Sequence, residues 1–303
     1  MSIVKYSFSV AVTVVIANMI GTGVFTSLGY QVGPIPSGFA ILFLWLVGGV
    51  VSLCGAFCYA QIATSLKESG GEYLFLSKLF HPVLGFLSGW ISLLVGFAGA
   101  ISAVAIAIGE YSNDLLGLPV RVVAIVSIVV ISVVHLFGVR AGSIAQNMLT
   151  GLKLFLIGFF CLARFFFEGG KSGISFLPLD SDWDLISSAG WAISLVFVVY
   201  AYSGWNASSY IAGNLVNPEK NIPRSLIAGT FIVTLVYLAL NGMFLSVSTY
   251  SELEGQNDIG NVVAIKLFGD TTGLVFSGLF SFALLSTLSA MTIAGPRVAE
   301  AMG

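Results

Sequence analysis

Charge is scarce in this sequence. Of 303 residues, only 9% are Asp, Glu, Lys or Arg, against about 25% in a soluble domain. With 57% hydrophobic residues and a mean hydropathy of +1.00, the chain lacks the polar surface that a water-soluble fold needs. The net charge of −2 and the absence of any basic run exclude a nucleic-acid partner. Cysteine is also rare. Cys54, Cys58 and Cys161 all lie inside apolar stretches and read as small, buried packing residues, not as disulfides or a metal site. The only two histidines, His81 and His135, fall near the ends of apolar stretches and read as interfacial. No His/Glu metal spacing, nucleophile elbow or intramembrane carboxylate pair is present, so an embedded enzyme is disfavoured and no cofactor is expected.

The few charges leave long gaps. None falls between Lys5 and Lys67, between Glu110 and the His81 region, or between Arg121 and Arg140. The same holds from Asp184 to Glu219, Arg224 to Glu252 and Asp270 to Arg297, while Lys153 alone interrupts the stretch from Arg140 to Arg164. A bilayer core takes about 20 apolar residues per helix, which predicts roughly eight spans: 7–32, 38–65, 83–109, 120–137, 144–163, 186–212, 225–249 and 273–294. The first run is too long for a signal peptide and lacks a cleavage site. All eight prolines fall at or near predicted ends, so continuous helices are expected. With the N-terminus inside, Lys5, Lys67, Lys78, Arg140, Lys220, Arg224 and Arg297 face the cytoplasm. Arg121, Arg164, Lys171 and Lys266 face out, together with Asp180, Asp182, Asp184, Glu252, Glu254 and Asp258. That bias predicts a multi-pass protein of the bacterial inner or plasma membrane with a cytoplasmic N-terminus.

Two spans carry helix-weakening clusters near their middles: Ile20-Gly21-Thr22-Gly23-Val24-Phe25 in span 1, and Tyr200-Ala201-Tyr202-Ser203-Gly204-Trp205-Asn206 in span 6. Five spans apart, they cross in opposite directions, and a matched antiparallel pair of broken helices points to a transporter's binding site. Close helix packing is the alternative use of such glycines, and Gly29, Gly33, Gly85 and Gly89 are read that way. A break in lipid must line a cavity or bind something. At span 1 the second half-helix offers N–H groups and a positive dipole end over Gly21, Thr22, Gly23 and Val24, suited to a carboxylate. At span 6 the carbonyls of Tyr200, Ala201 and Ser203 suit an ammonium, and Asn206 is a good N-cap for the second half. An anion cradle facing a cation cradle fits an α-amino acid. Trp205, with Tyr200 and Tyr202, either walls a side-chain pocket or packs. The spans hold no acid to pair a cationic side chain, a lean toward neutral substrates.

Lys153 lies about 20 Å along its helix from the charges at either end. A lysine at that depth costs at least ~2.5–3.5 kcal/mol on insertion scales. With no acid in any span, it must lodge among carbonyls and hydroxyls such as Ser286, Thr287 or Ser289 of span 8, or shed its charge. The alternative is a misdrawn segment with Lys153 in a loop.

At these residues the chain resembles the amino acid–polyamine–organocation (APC) superfamily, most closely its bacterial amino acid permeases and L-type exchangers. The resemblance is carried by residues 20–25, Ser69-Gly70-Gly71-Glu72-Tyr73 leading to Gly89-Trp90, and Asn147 to Lys153. It continues through residues 200–206, Asn217-Pro218-Glu219-Lys220-Asn221-Ile222-Pro223-Arg224, and Gly295-Pro296-Arg297 with Met302-Gly303. It implies an all-α, LeuT-like bundle of two inverted five-helix repeats, the first over 1–170 and an incomplete second over 171–303, with substrate between spans 1 and 6. Thr22 and Gly23 then match the carboxylate-binding backbone, Tyr200 an aromatic gate, and Asn206 a polar substrate contact. Lys153 falls where sodium-independent relatives keep a lysine in place of a sodium site, which implies proton coupling or exchange. Ser286 and Ser289 join it as coupling candidates. Gly213-Asn214 stand where the family often has paired acids. The chain stops after span 8, so further helices of the second repeat are expected to be missing. No external cysteine lies between spans 3 and 4, so no disulfide-linked heavy chain is expected. The partners implied are a small-molecule amino acid and the lipid bilayer. A non-transporting amino-acid sensor, or a permease for polyamines or other amines, are the alternatives on this fold.

Overall fold

The computed structural model describes residues 5–66, 68–167 and 170–303. Lys67, counted above among the basic residues on the N-terminal side, lies outside them. The described chain is helical throughout, with one isolated bridge between Tyr6 and Leu215.

The first predicted span is α1 (Phe8–Met19) and α2 (Gly23–Gln31), separated by three residues; α3 (Gly38–Leu66) follows. Next come a short α4 (Glu72–Leu79) and α5 (Pro82–Ile91), which runs through a π-helical stretch, Ser92–Gly99, into α6 (Ala100–Leu116). Then α7 (Val120–Leu136), α8 (Val139–Phe166), α9 (Asp180–Ile186) and α10 (Ala189–Ala201) lead to a 3-10 stretch, Ala207–Asn214. The chain closes with α11 (Pro218–Val247), α12 (Tyr250–Leu253), α13 (Ile259–Phe268) and α14 (Asp270–Met302). Among the described residues six stretches are long and apolar enough to cross a bilayer, and α9 and α10, bent by 68°, count as a seventh if the pair is taken as one span. The fourth predicted span, α7, is apolar but shorter. The protein is a multi-pass, all-α membrane protein.

Apolar side chains point both ways, as lipid requires. Leu94, Val95, Val126, Val130 and Phe155 are more than half exposed on the rim, where hydrocarbon meets them. The centre is built from small and β-branched residues. Val10, Ala11, Val14, Val15 and Ala17 of α1 are buried, and α1 lies against α8, α11 and α14. A Cβ on Gly229 of α11 would come within 2.6 Å of Val15, so this glycine lets the two helices touch. Gly29 of α2 is pressed on the backbone of Gln256, and Gly255 N–H donates to Gly29 O at 2.9 Å. Gly89 likewise meets Met302, at 2.5 Å from its Sδ to an added Cβ.

Several sequence expectations need correction. Pro223 and Pro296 lie inside α11 and α14, because both helices run on past the apolar core of their spans, to Pro218 and Met302 respectively. Each proline forfeits one backbone bond, Pro223 near the start of α11 and Pro296 in the last two turns of α14. Cys54 and Cys58 are exposed and Cys161 is half-buried, so none is buried in the protein. His135 does not simply sit at an interface: its Nε2 is 3.0 Å from Ser289 Oγ. Finally, the second half of span 6 is 3-10, not α, and Asn206 does not cap it through its side chain. Ser209 Oγ instead donates back to Asn206 O at 2.7 Å, the local competition that keeps serine out of helix interiors.

Candidate functional site

α1 stops where Ile20 leaves helical geometry (ψ 84°), and the Gly21 N–H turns back to Met19 O at 2.9 Å. α2 restarts at Gly23, so the N–H groups of Thr22, Gly23 and Val24 have no acceptor within the helix. α10 stops at Ala201, and the chain turns through Gly204 at φ +101°, a conformation that favours glycine. A Cβ at Gly204 would also lie 2.9 Å from Asn18. One at Gly23 would lie 3.0 Å from the Ala201 Cα. The two breaks are therefore in contact, with the N-terminus of α2 set against the C-terminus of α10.

The carbonyl ends of α1 and α10 are met by side chains from neighbouring spans. The buried Tyr237 hydroxyl of α11 lies 2.5 Å from Met19 O and 2.8 Å from Ala201 O, the last carbonyls of α1 and α10. Sequence reasoning missed this residue. The available signal was a tyrosine in mid-span, whose hydroxyl needs a partner when buried. Lys153, 1% exposed, places Nζ 2.6 Å from Ile20 O and 2.6 Å from Thr287 Oγ1. Thr287 donates to the same carbonyl at 2.9 Å. The ammonium thus sits at the C-terminal, negative end of the α1 dipole. Ser286 and Ser289 do not join it: Ser286 Oγ bonds Ala283 O at 2.9 Å, and Ser289 pairs with His135.

The three aromatic residues of the span 6 cluster diverge. Tyr200 is 68% exposed. Tyr202 is buried and donates to Trp45 O at 3.0 Å. Trp205 packs edge-on to Tyr59 at 4.8 Å and against Gly55. Ser203 is exposed, and the Ala201 carbonyl is taken by Tyr237. Asn206 Nδ2 donates to one carboxylate oxygen of Glu72, and the Tyr210 hydroxyl donates to the other. Glu72, at the start of α4, therefore brings an acid to the break that the spans alone do not contain. Among the described residues, no group of three or more His, Cys, Asp or Glu could hold a metal.

The glycines of the first break separate by their surroundings. An added Cβ at Gly21 meets only Thr287 Cγ2, at 4.0 Å, whereas at Gly23 it meets the α10 backbone. Gly21→Ala is therefore expected to bind ligand within about threefold of wild type, while Gly23→Val forces the breaks apart and loses binding by more than about tenfold. Equilibrium binding to both purified variants checks this, and equal losses would contradict it.

A family model described as amino acid permease matches residues 6–303. The serine/threonine exchanger SteT of Bacillus subtilis (strain 168) is 29% identical over 96% of this chain and 66% of its own length. The human b(0,+)-type amino acid transporter 1 is 29% identical over 80% of this chain and 51% of its own. The mouse Asc-type amino acid transporter 1 is 28% identical over 86% and 51%. The chain thus spans about half to two thirds of the length of these relatives. With the match running across nearly all of its residues, the chain belongs to the amino acid permease family.

Proposed function

We propose that this protein moves a neutral L-α-amino acid across the cell membrane without sodium, holding it between the two helix breaks. One observation carries the reading. The free N-terminus of α2, at Gly23, abuts the C-terminus of α10, at Ala201, so an anion-favouring and a cation-favouring helix end adjoin. In this reading the free N–H groups of Thr22, Gly23 and Val24 take the carboxylate, beside Gly21, whose own N–H is held by Met19 O. The turn from Tyr200 through Ala201, Ser203 and Trp205 to Asn206 takes the ammonium and side chain. Lys153 stands as a fixed or titrating charge where a sodium ion would otherwise bind, with Thr287 beside it, while Ser286 and Ser289, expected in the same coupling region, bond to other partners. The first repeat covers 1–170 and the second begins at 171, with the N-terminus in the cytoplasm and no disulfide-linked heavy chain.

The test is uptake and competition in proteoliposomes. Radiolabelled L-serine is expected to enter without sodium, and the other neutral amino acids to compete. L-serinamide lacks the carboxylate and 3-hydroxypropanoate lacks the ammonium; each is expected to compete at least about tenfold less well, one lost charge-assisted bond being worth about that factor. Binding without flux would make the protein a sensor. Strict sodium dependence, or equal competition by serinamide, would overturn the reading.

A further inference from the structure

The 69–72 run is docked on the 3-10 stretch after the span 6 break. Gly70 N–H donates to Tyr210 O at 3.3 Å, and Gly213 N–H to Ser69 Oγ at 3.0 Å. Gly71, at φ +56°, lies so close to the Tyr210 ring that a side chain there would collide with it. These contacts fix the start of α4, and Glu72 with it, beside Asn206.

An asparagine amide can present either end. Ionised Glu72 only accepts, so the edge of Asn206 that faces it must be the NH2. The second neighbour of that edge is the Tyr210 hydroxyl, 3.4 Å from Nδ2. Its proton is already engaged by the other Glu72 oxygen, so it too offers only lone pairs. Flipping the amide would set Oδ1 against a carboxylate oxygen and a hydroxyl with no proton to give. Only one orientation satisfies the network, and it leaves Oδ1 as the free end, with no protein donor among the described residues. No cation pairs with Glu72 among the described residues.

We propose that Glu72 is a positioning residue that locks the Asn206 amide so that Oδ1 presents an acceptor to the substrate ammonium. This rests on the proposed substrate site. The carboxylate acts at second hand: it dictates which polar atom of Asn206 is free. Amino acids are thereby preferred to their deaminated analogues.

The experiment measures binding of L-serine to the full chain, with L-serinamide and 3-hydroxypropanoate as competitors. Glu72→Met keeps the bulk but cannot accept a hydrogen bond. Affinity for L-serine is expected to fall about tenfold or more, and its margin over 3-hydroxypropanoate to collapse, while serinamide stays rejected. Glu72→Gln still has an acceptor and is expected within about threefold of wild type. Asn206→Asp sets two carboxylates face to face and is expected to bind poorly. Combining it with Glu72→Gln restores a donor–acceptor pair with the roles exchanged, and is expected to recover at least about fivefold over Asn206→Asp alone. The exchange pair guards against misfolding, since a residue that merely packs gives no rescue. Two results overturn the assignment: Asn206→Asp binding equally weakly whether residue 72 is Glu or Gln, or Glu72→Met retaining the wild-type margin over 3-hydroxypropanoate. If serinamide competes as well as L-serine against wild type, the substrate site itself is wrong and the inference falls with it. If serinamide is rejected but the margin survives in Glu72→Met, only the role of Glu72 falls.

Discussion

With Lys153 replaced by methionine, sodium-independent uptake is expected to drop by at least about tenfold at every external pH, while the protein still inserts and folds. The reason lies in what the substitution removes and what it leaves. Methionine keeps most of the length and apolar surface of the lysine stem. Thr287 still donates to the Ile20 carbonyl at 2.9 Å, so no buried acceptor is orphaned, and the stability loss stays below the ~1–3 kcal/mol of an unsatisfied group. What disappears is the positive charge at the C-terminal end of α1, held 2.6 Å from Ile20 O. If that charge takes part in moving substrate, flux suffers far more than stability does. Arginine will not substitute, because its broad planar head needs a different set of acceptors in a site where lysine is 1% exposed. The measurement is uptake against external pH in sodium-free buffer, for wild type, Lys153→Met and Lys153→Arg. A Lys153→Met protein as active as wild type, with no pH response in either, reduces Lys153 to packing.

Tyr237→Phe is expected to be nearly as damaging, by a different route. The substitution deletes one oxygen and keeps the ring, which sits edge-on to Trp45 at 5.2 Å and to Tyr202 at 4.9 Å. The Ala201 carbonyl then loses its hydroxyl donor, while Met19 O keeps the Gly21 N–H at 2.9 Å. A buried group left unsatisfied costs about 1–3 kcal/mol. The loss falls at the end of α10, a half-helix that flanks the proposed cradle. Substrate affinity should fall at least about tenfold, and the melting temperature by several degrees. Scintillation-proximity binding and a thermal-shift assay on the same preparation read the two effects. Wild-type affinity in Tyr237→Phe would mean that the breaks hold their geometry without the hydroxyl.

The spans were legible because lipid leaves the backbone little choice. A charge-free run in hydrocarbon must close its hydrogen bonds within itself, so 38–65 was read almost as α3, Gly38–Leu66, folds. The positions of both breaks were legible for the same reason, from glycine and serine where a continuous helix was otherwise expected. The faces of the helices were not. In a membrane, an apolar residue is equally at home in the core or against lipid, so hydropathy placed Cys54 and Cys58 inside when they face out. Tyr237 and Glu72 were missed because each acts across a long sequence separation. Tyr237 closes a carbonyl 218 residues away, and Glu72 meets an amide 134 residues away. No local pattern encodes such pairings. The 3-10 course of 207–214 depends on serine hydroxyls choosing backbone partners, a competition that propensity alone does not decide.

The nine residues of α2 are clamped backbone to backbone at both ends: Gly23 on α10, and Gly29 on the Gly255–Gln256 connection. A helix of that length is a stiff rod of about 13 Å, with no slack at either joint, since a glycine at each contact leaves no side chain to deform. Displacing the 254–257 connection therefore pushes the rod against α10. The connection between α12 and α13 and the proposed carboxylate cradle are, in mechanical terms, two ends of one lever.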